Sequence, residues 1–178
     1  MGTLKSRGLR GSILEEMINN TNEYLQEEGL ALIQKIPTPI TPVQMDEHRH
    51  ITLAYFDKKS TVDYIGVVQG IPVCFDAKEC AFDRFALQNI HEHQVRFMSD
   101  FEKQGGVSFF LIYFSEKELY YYLPFRNFFP FWDRMQQGGR KSFLFSELDE
   151  KYVIEGPCTN RIPYLVSLQK DLDNRDDE

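Results

Sequence analysis

The stretch Thr61-Val62-Asp63-Tyr64-Ile65-Gly66-Val67-Val68-Gln69-Gly70-Ile71-Pro72-Val73-Cys74-Phe75-Asp76-Ala77-Lys78 decides the fold. Two apolar runs flank Gln69-Gly70, and glycine at the second turn position supplies the positive φ that a two-residue hairpin turn needs. Pairing about that turn makes partner numbers sum to 139, so Asp63 opposes Asp76 and Thr61 opposes Lys78. Opposed Cβ atoms in such a ladder lie roughly 4.5–5.5 Å apart. Strand side chains alternate faces, so all four project the same way. Two carboxylates facing each other repel, and aspartate is a poor strand former, so the arrangement calls for a cation.

Outward from the hairpin, apolar positions from Ser12 follow helical spacing as far as Gly29, predicting a first helix over 12–28 after a flexible arm at 1–11. Residues 30–36 read as a strand. Pro37-Thr38-Pro39-Ile40-Thr41-Pro42 then rules out regular sheet, leaving 37–57 as an excursion between strands. After the hairpin come a loop at 80–86, a helix over 87–104, strands at 107–114 and 118–123, and an aromatic helix over 125–137. A short helix at 146–151 and a closing helix at 162–172 complete the chain. The order αβββαββα predicts one α/β domain, 12–170, with a central sheet flanked by helices.

The 178 residues are 42% hydrophobic and 14% aromatic, enough for one sizeable core. No segment approaches the roughly 18 apolar residues of a membrane span. Lys5, Arg7 and Arg10 are followed by no apolar run, so no secretory signal is expected. Cys74, Cys80 and Cys158 are an odd number without C-x-x-C spacing, which points to reduced thiols and a cytoplasmic protein, not to cysteine-bound zinc. The net charge of −7 opposes nucleic-acid binding, but residues 171–178 hold five acids and one base and read as a disordered acidic tail. Without that tail the charge is −3, which leaves room for a local basic surface.

Asp63, Asp76 and Lys78 fit the pattern D-x(n)-(D/E)-x-K of metal-dependent nucleases. Two carboxylates and the Ala77 carbonyl suit a hard, oxygen-seeking Mg²⁺ (Mn²⁺ can substitute), and the lysine two residues on shares the face of Asp76. An exposed hairpin carrying surface aspartates and an ion pair fits the same short pattern. Gln94 interrupts an apolar helical stripe of Ile90, Phe97 and Met98, so its amide needs a polar partner inside. Backbone or the carboxylate site can supply one. His91 and His93, as H-x-H on a helix, are not expected to share a face. Glu15 is either a third acid, with Glu16 as alternative, or part of a capping box with Ser12. Arg140 and Lys141 follow Gly138-Gly139 on a loop suited to phosphate contact or simply to surface charge. Phe125, Phe128, Phe129, Phe131 and Trp132 indicate core or a subunit interface.

Taken in order, Arg10-Gly11, Thr21-Asn22, Pro37-Thr38-Pro39, Ala54-Tyr55-Phe56, Thr61-Val62-Asp63-Tyr64, Phe75-Asp76-Ala77-Lys78-Glu79, the run Leu87 to Gln94, Phe131-Trp132-Asp133-Arg134 and Gly139-Arg140-Lys141-Ser142 resemble the RecU-type Holliday junction resolvases of the PD-(D/E)xK nuclease superfamily. The resemblance spans about residues 9 to 168. It implies a restriction-endonuclease-like fold, a homodimer, and Mg²⁺-dependent symmetric nicking of four-way DNA junctions in recombination and repair. It also implies metal-site roles for Thr61, Asp63, Asp76 and Gln94, and transition-state stabilisation by Lys78. Residues 37–57 match a stalk, with Arg49, His48 and His50 as DNA contacts; Arg10 matches a functional arginine of the amino-terminal arm. The family usually carries glutamate where this chain has Asp76. A recombinase is a further expected partner. A non-catalytic junction-binding or recombinase-modulating protein, or a nuclease for another DNA structure, are the rival readings on the same fold.

Overall fold

A computed structural model describes residues 8–37, 39–56, 61–155 and 159–176. The central hairpin forms as its turn dictates. Strands β4 (Tyr64–Val68) and β5 (Ile71–Cys80) pair antiparallel in the expected register, Tyr64 with Phe75 and Val68 with Ile71. Gln69 and Gly70 both take positive φ, 47° and 90°, the signature of a turn whose twist matches its strands. On the outer side of β4 lies β1 (Ala31–Lys35), also antiparallel. A Cβ on Gly66 would meet the Leu32 carbonyl at 2.2 Å, so the β1–β4 approach requires glycine there.

On the inner side, β5 runs parallel to β7 (Val107–Phe114), which pairs antiparallel with β8 (Leu119–Pro124), and β10 (Val153–Ile154) closes the edge. The mixed six-stranded order is β1-β4-β5-β7-β8-β10. The parallel crossover is made by α2 (Glu92–Lys103), as a parallel pair demands. Aromatic packing identifies the faces. Phe109 stacks on Phe75 and Tyr122 at 4.6 and 4.4 Å and meets Tyr164 of α4 (Tyr164–Asp176); Tyr64, stacked on Phe75, bonds to Asn19 of α1 (Gly8–Glu27). The other face of β7 carries Phe110 against Phe128 of α3 (Phe125–Gln136), and Ser108 bonding to Met98 of α2. One sheet thus lies between α1 and α4 on one side and α2 and α3 on the other. It is the expected mixed α/β layer architecture.

Several expectations are corrected. The 37–57 excursion holds regular sheet: β2 (Ile40–Met45) and β3 (Ile51–Phe56) form a separate two-stranded ribbon with register shifts beside Pro42 and Gln44. A ribbon leaves half of each strand's N–H groups unpaired, which is where proline is tolerated. The loop at 80–86 is shorter than expected, because β5 runs to Cys80 and β6 (Arg84–Ala86) pairs with β9 (Ser142–Leu144). The helix over 87–104 is divided into a 3-10 turn at Leu87–Asn89 and α2, with extended backbone at His91. The 146–151 helix is two 3-10 turns, Phe145–Glu147 and Glu150–Tyr152.

Most of the expected disordered acidic tail at 171–178 is helical instead. Helix α4 runs to Asp176, and Asp171 is fully buried, accepting from Tyr122 at 3.0 Å and paired with Arg126 and Arg175 at 3.2 Å. Residues 177–178, Cys158 and most of the 1–11 arm lie outside the described residues. Helix α1 starts at Gly8 rather than 12, so Ser12 lies within it, and the side chain of Arg10 is also outside the description.

Candidate active site

Asp76 sits on β5 opposite Phe110 of β7, hence on the α2–α3 face, and is completely buried. Burying a carboxylate is costly unless its oxygens are bonded, and here they are. Its Oδ1 accepts the Asp63 backbone N–H at 3.0 Å. Its Oδ2 accepts Gln94 Nε2 at 2.9 Å and lies against the Lys78 ammonium. Asp63 stands one residue before β4 and accepts the Ala77 N–H at 2.9 Å. The two aspartates therefore bind each other's strands across the expected register. Burial, then the negative charge of Asp76, pushes the Asp63 carboxyl up to about 6.

Gln94 reaches this point because α2 begins beside it. His91 is the extended residue before the helix, and its N–H donates to Gln94 Oε1 at 3.0 Å while the Gln94 NH₂ faces Asp76. The amide is 7% exposed. Its orientation gives the carboxylate a donor, so Gln94 holds Asp76 in place with its NH₂ and its carbonyl is engaged elsewhere. The same extended residue overturns the reading of His91 and His93. Their rings stack 5.4 Å apart at 14°, because the first is outside the helix.

The other predicted residues are distributed differently. Thr61 lies in the bend before Asp63, partly buried, and among the described residues it makes no hydrogen bond to either aspartate. Glu15 is on α1, across the sheet from Asp76, where it pairs with Lys35 at 2.6 Å; it neither caps the helix nor joins the carboxylates. Arg49, at positive φ, marks the exposed tip of the β2–β3 ribbon. There Asp46 accepts the His48 and His50 N–H groups at 2.9 and 2.8 Å, which pulls its carboxyl below the usual range, the His50 N–H first. Arg140 is tied down rather than free: it pairs with Glu147 and donates to the Ser142 carbonyl at 2.9 Å. Lys141 is exposed, and its carbonyl accepts from Leu87 N. Of the aromatic helix, Phe125, Phe128 and Trp132 are core, while Phe129 is exposed. Sequence reasoning missed Glu147, the clamp on Arg134 and Arg140, because no local pattern marks so distant a partner.

The donor set suits a hard divalent cation. Two carboxylates converge on one point, burial and the charge of Asp76 raise the Asp63 carboxyl, and among the described residues the Lys78 ammonium pairs with them. Among the described residues no third His, Cys, Asp or Glu joins them.

The family model "RecU: Recombination protein U" matches residues 9–170. The chain belongs to the RecU family. It is 42% identical to "Holliday junction resolvase RecU" of Pediococcus pentosaceus over 94% of this chain and 86% of that one. The protein of the same description from Limosilactobacillus reuteri is 42% identical over 90% and 82%, and that of Listeria welshimeri 39% over 92% and 84%. Among solved structures, that of Hjc, a Holliday junction resolvase from Archaeoglobus fulgidus, is a distant likeness. It is 9% identical over 66% of this chain and 74% of that one, with a TM-score of 0.37. No helix among the described residues is long and apolar enough to cross a membrane.

Proposed function

We propose that this chain is a Holliday junction resolvase: a Mg²⁺-dependent endodeoxyribonuclease that nicks two symmetric strands of a four-way junction, working as a homodimer in the cytoplasm. The observation that supports it is the meeting of Asp63, Asp76, Lys78 and Gln94 at one point, in a chain that matches 86% of the length of a relative named Holliday junction resolvase RecU.

Asp63 and Asp76 would hold the ion. When bound, Mg²⁺ supplies Lewis-acid polarisation of the scissile phosphate and a more acidic water. Gln94 and the Asp63 N–H fix Asp76 so that its carboxylate does not turn away. Lys78 holds its ammonium beside Asp76 and is positioned to orient the attacking water and to stabilise charge on the phosphate oxygens. A twofold dimer supplies two such centres for two cleavage points. Arg49 at the ribbon tip and Lys141 beside the Leu87–Asn89 turn are the proposed phosphate contacts, and a recombinase is the proposed protein partner.

The test is incubation of purified protein with a mobile four-way junction and MgCl₂. Paired symmetric nicks are expected from the wild type, and Lys78→Ala is expected to lose at least about a hundredfold in rate, since removing one charge-stabilising donor costs on that order. Absence of nicks by the wild type, or full activity of Lys78→Ala, would sink the reading.

A further inference from the structure

Phe82 is the most exposed large apolar side chain among the described residues, at 68%. A single exposed apolar residue is ordinarily unremarkable. This one stands on a loop built to hold it. The buried Cys80 thiol lies within hydrogen-bond distance of two carbonyls, those of Phe82 at 3.0 Å and Arg84 at 3.2 Å. The Asp83 carbonyl between them accepts the Phe145 N–H at 2.7 Å. Three successive carbonyls are thus fixed from the protein side while the ring is left in solvent.

The loop's position gives that ring a use. Lys78 is four residues before Phe82, and β5 ends between them at Cys80. This is the end of the sheet at which β4 starts beside Asp63 and at which β1 gives way to the ribbon; Ile36 N donates to the Asp63 carbonyl there at 2.8 Å. The sheet order here is β1, β4, β5, so the site on β4 and β5 has the exit of β1 toward the ribbon across β4 and the Phe82 loop past the end of β5. Four residues of chain span at most roughly 13 Å, so a strand whose phosphate is presented to Lys78 can direct a nearby nucleotide toward this loop.

We propose that Phe82 is a substrate-contacting residue that stacks on an unstacked base beside the scissile phosphate, opposite the ribbon. An aromatic face suits any base, and next to Asp83 a base is a better neighbour than a phosphate. The proposal rests on the nuclease reading above. A second copy of this chain is the rival occupant, and the test separates them.

Junction binding is measured in Ca²⁺, with 2-aminopurine placed at nucleotides flanking the mapped nick, for wild type, Phe82→Trp, Phe82→Leu and Phe82→Ala. Stacking predicts about tenfold weaker binding and a lost 2-aminopurine response for Ala, retention of both by Trp, and an intermediate result for Leu. Unchanged affinity and fluorescence in Phe82→Ala, with wild-type nicking intact, overturns the stacking role while leaving the nuclease reading standing. Conversion of Phe82→Ala to monomer by light scattering also overturns it, in favour of the second copy. Failure of the wild type to nick removes the reading beneath both.

Discussion

The carboxyl of Asp63 carries the most direct experimental handle. Its folded value of about 6 lies above the ordinary 3.8, so its protonated form is favoured by folding. The stability it contributes is complete below 3.8 and is lost as pH rises through about 6. Above that point the folded protein carries two facing negative charges, offset among the described residues by Lys78, and a divalent cation relieves them. Mg²⁺ is therefore expected to raise the melting temperature at about pH 7.5 and to have little effect at about pH 5, where protons compete for the same oxygens. Differential scanning fluorimetry at the two pH values checks this; equal shifts at both would show that the ion binds elsewhere. At this scale the sequence was legible where residues act through a ladder of known period, as Asp63, Asp76 and Lys78 do. It was not legible for Glu15, whose helix packs on the opposite face, nor for Arg140, whose partner Glu147 is set by tertiary contact.

Among the elements, the β2–β3 ribbon stands apart from the six-stranded sheet and keeps Val43, Met45, Ile51, Leu53 and Tyr55 exposed. Little of the core depends on it. Replacing residues 40–55 by a short glycine-serine linker is expected to leave the melting temperature within a few degrees, and to abolish the preference for four-way junctions over linear duplex in competition binding. A collapse of the fold would show that the ribbon is structural. Helix α4 behaves oppositely. Arg175 bridges Asp171 of its own helix to Glu102 of α2 at 2.8 and 2.9 Å. Arg175→Ala is expected to cost about 2 kcal/mol in urea denaturation, less than a fully orphaned pair because Asp171 keeps Arg126. The ribbon is not legible because proline breaks only a strand paired on both edges, and sequence does not show which edges are free. The tail is not legible because the partners of its charges, Tyr122, Arg126 and Glu102, lie far away in the chain.

Over the whole molecule, a central sheet flanked by helices followed from the sequence, since glycine punctuation and apolar periods fix most element ends, while its mixed pairing was implied by the family resemblance. The 107–114 strand and the helix starting at Phe125 appear where spacing put them. Three-residue strands such as β6 and β9 carry too few residues for a period to show, and exist because Phe85 and Phe143 stack at 5.0 Å beneath Phe131. The site is an assembly of a local part and a distant part: two aspartates joined by a tight turn, and a glutamine delivered by a crossover helix.

That division has a kinetic consequence. The β4–β5 hairpin closes on a microsecond scale, while the parallel β5–β7 pairing must wait for α2 and the longer loop it closes. Repulsion between Asp63 and Asp76 thus arises early, before Gln94 and its helix arrive to share it. If the hairpin belongs to the folding nucleus, Mg²⁺ acts on the refolding limb of a stopped-flow chevron and leaves the unfolding limb nearly unmoved. A cation effect confined to unfolding would mean that the carboxylates meet only after the barrier, and that the turn at Gln69-Gly70 closes last.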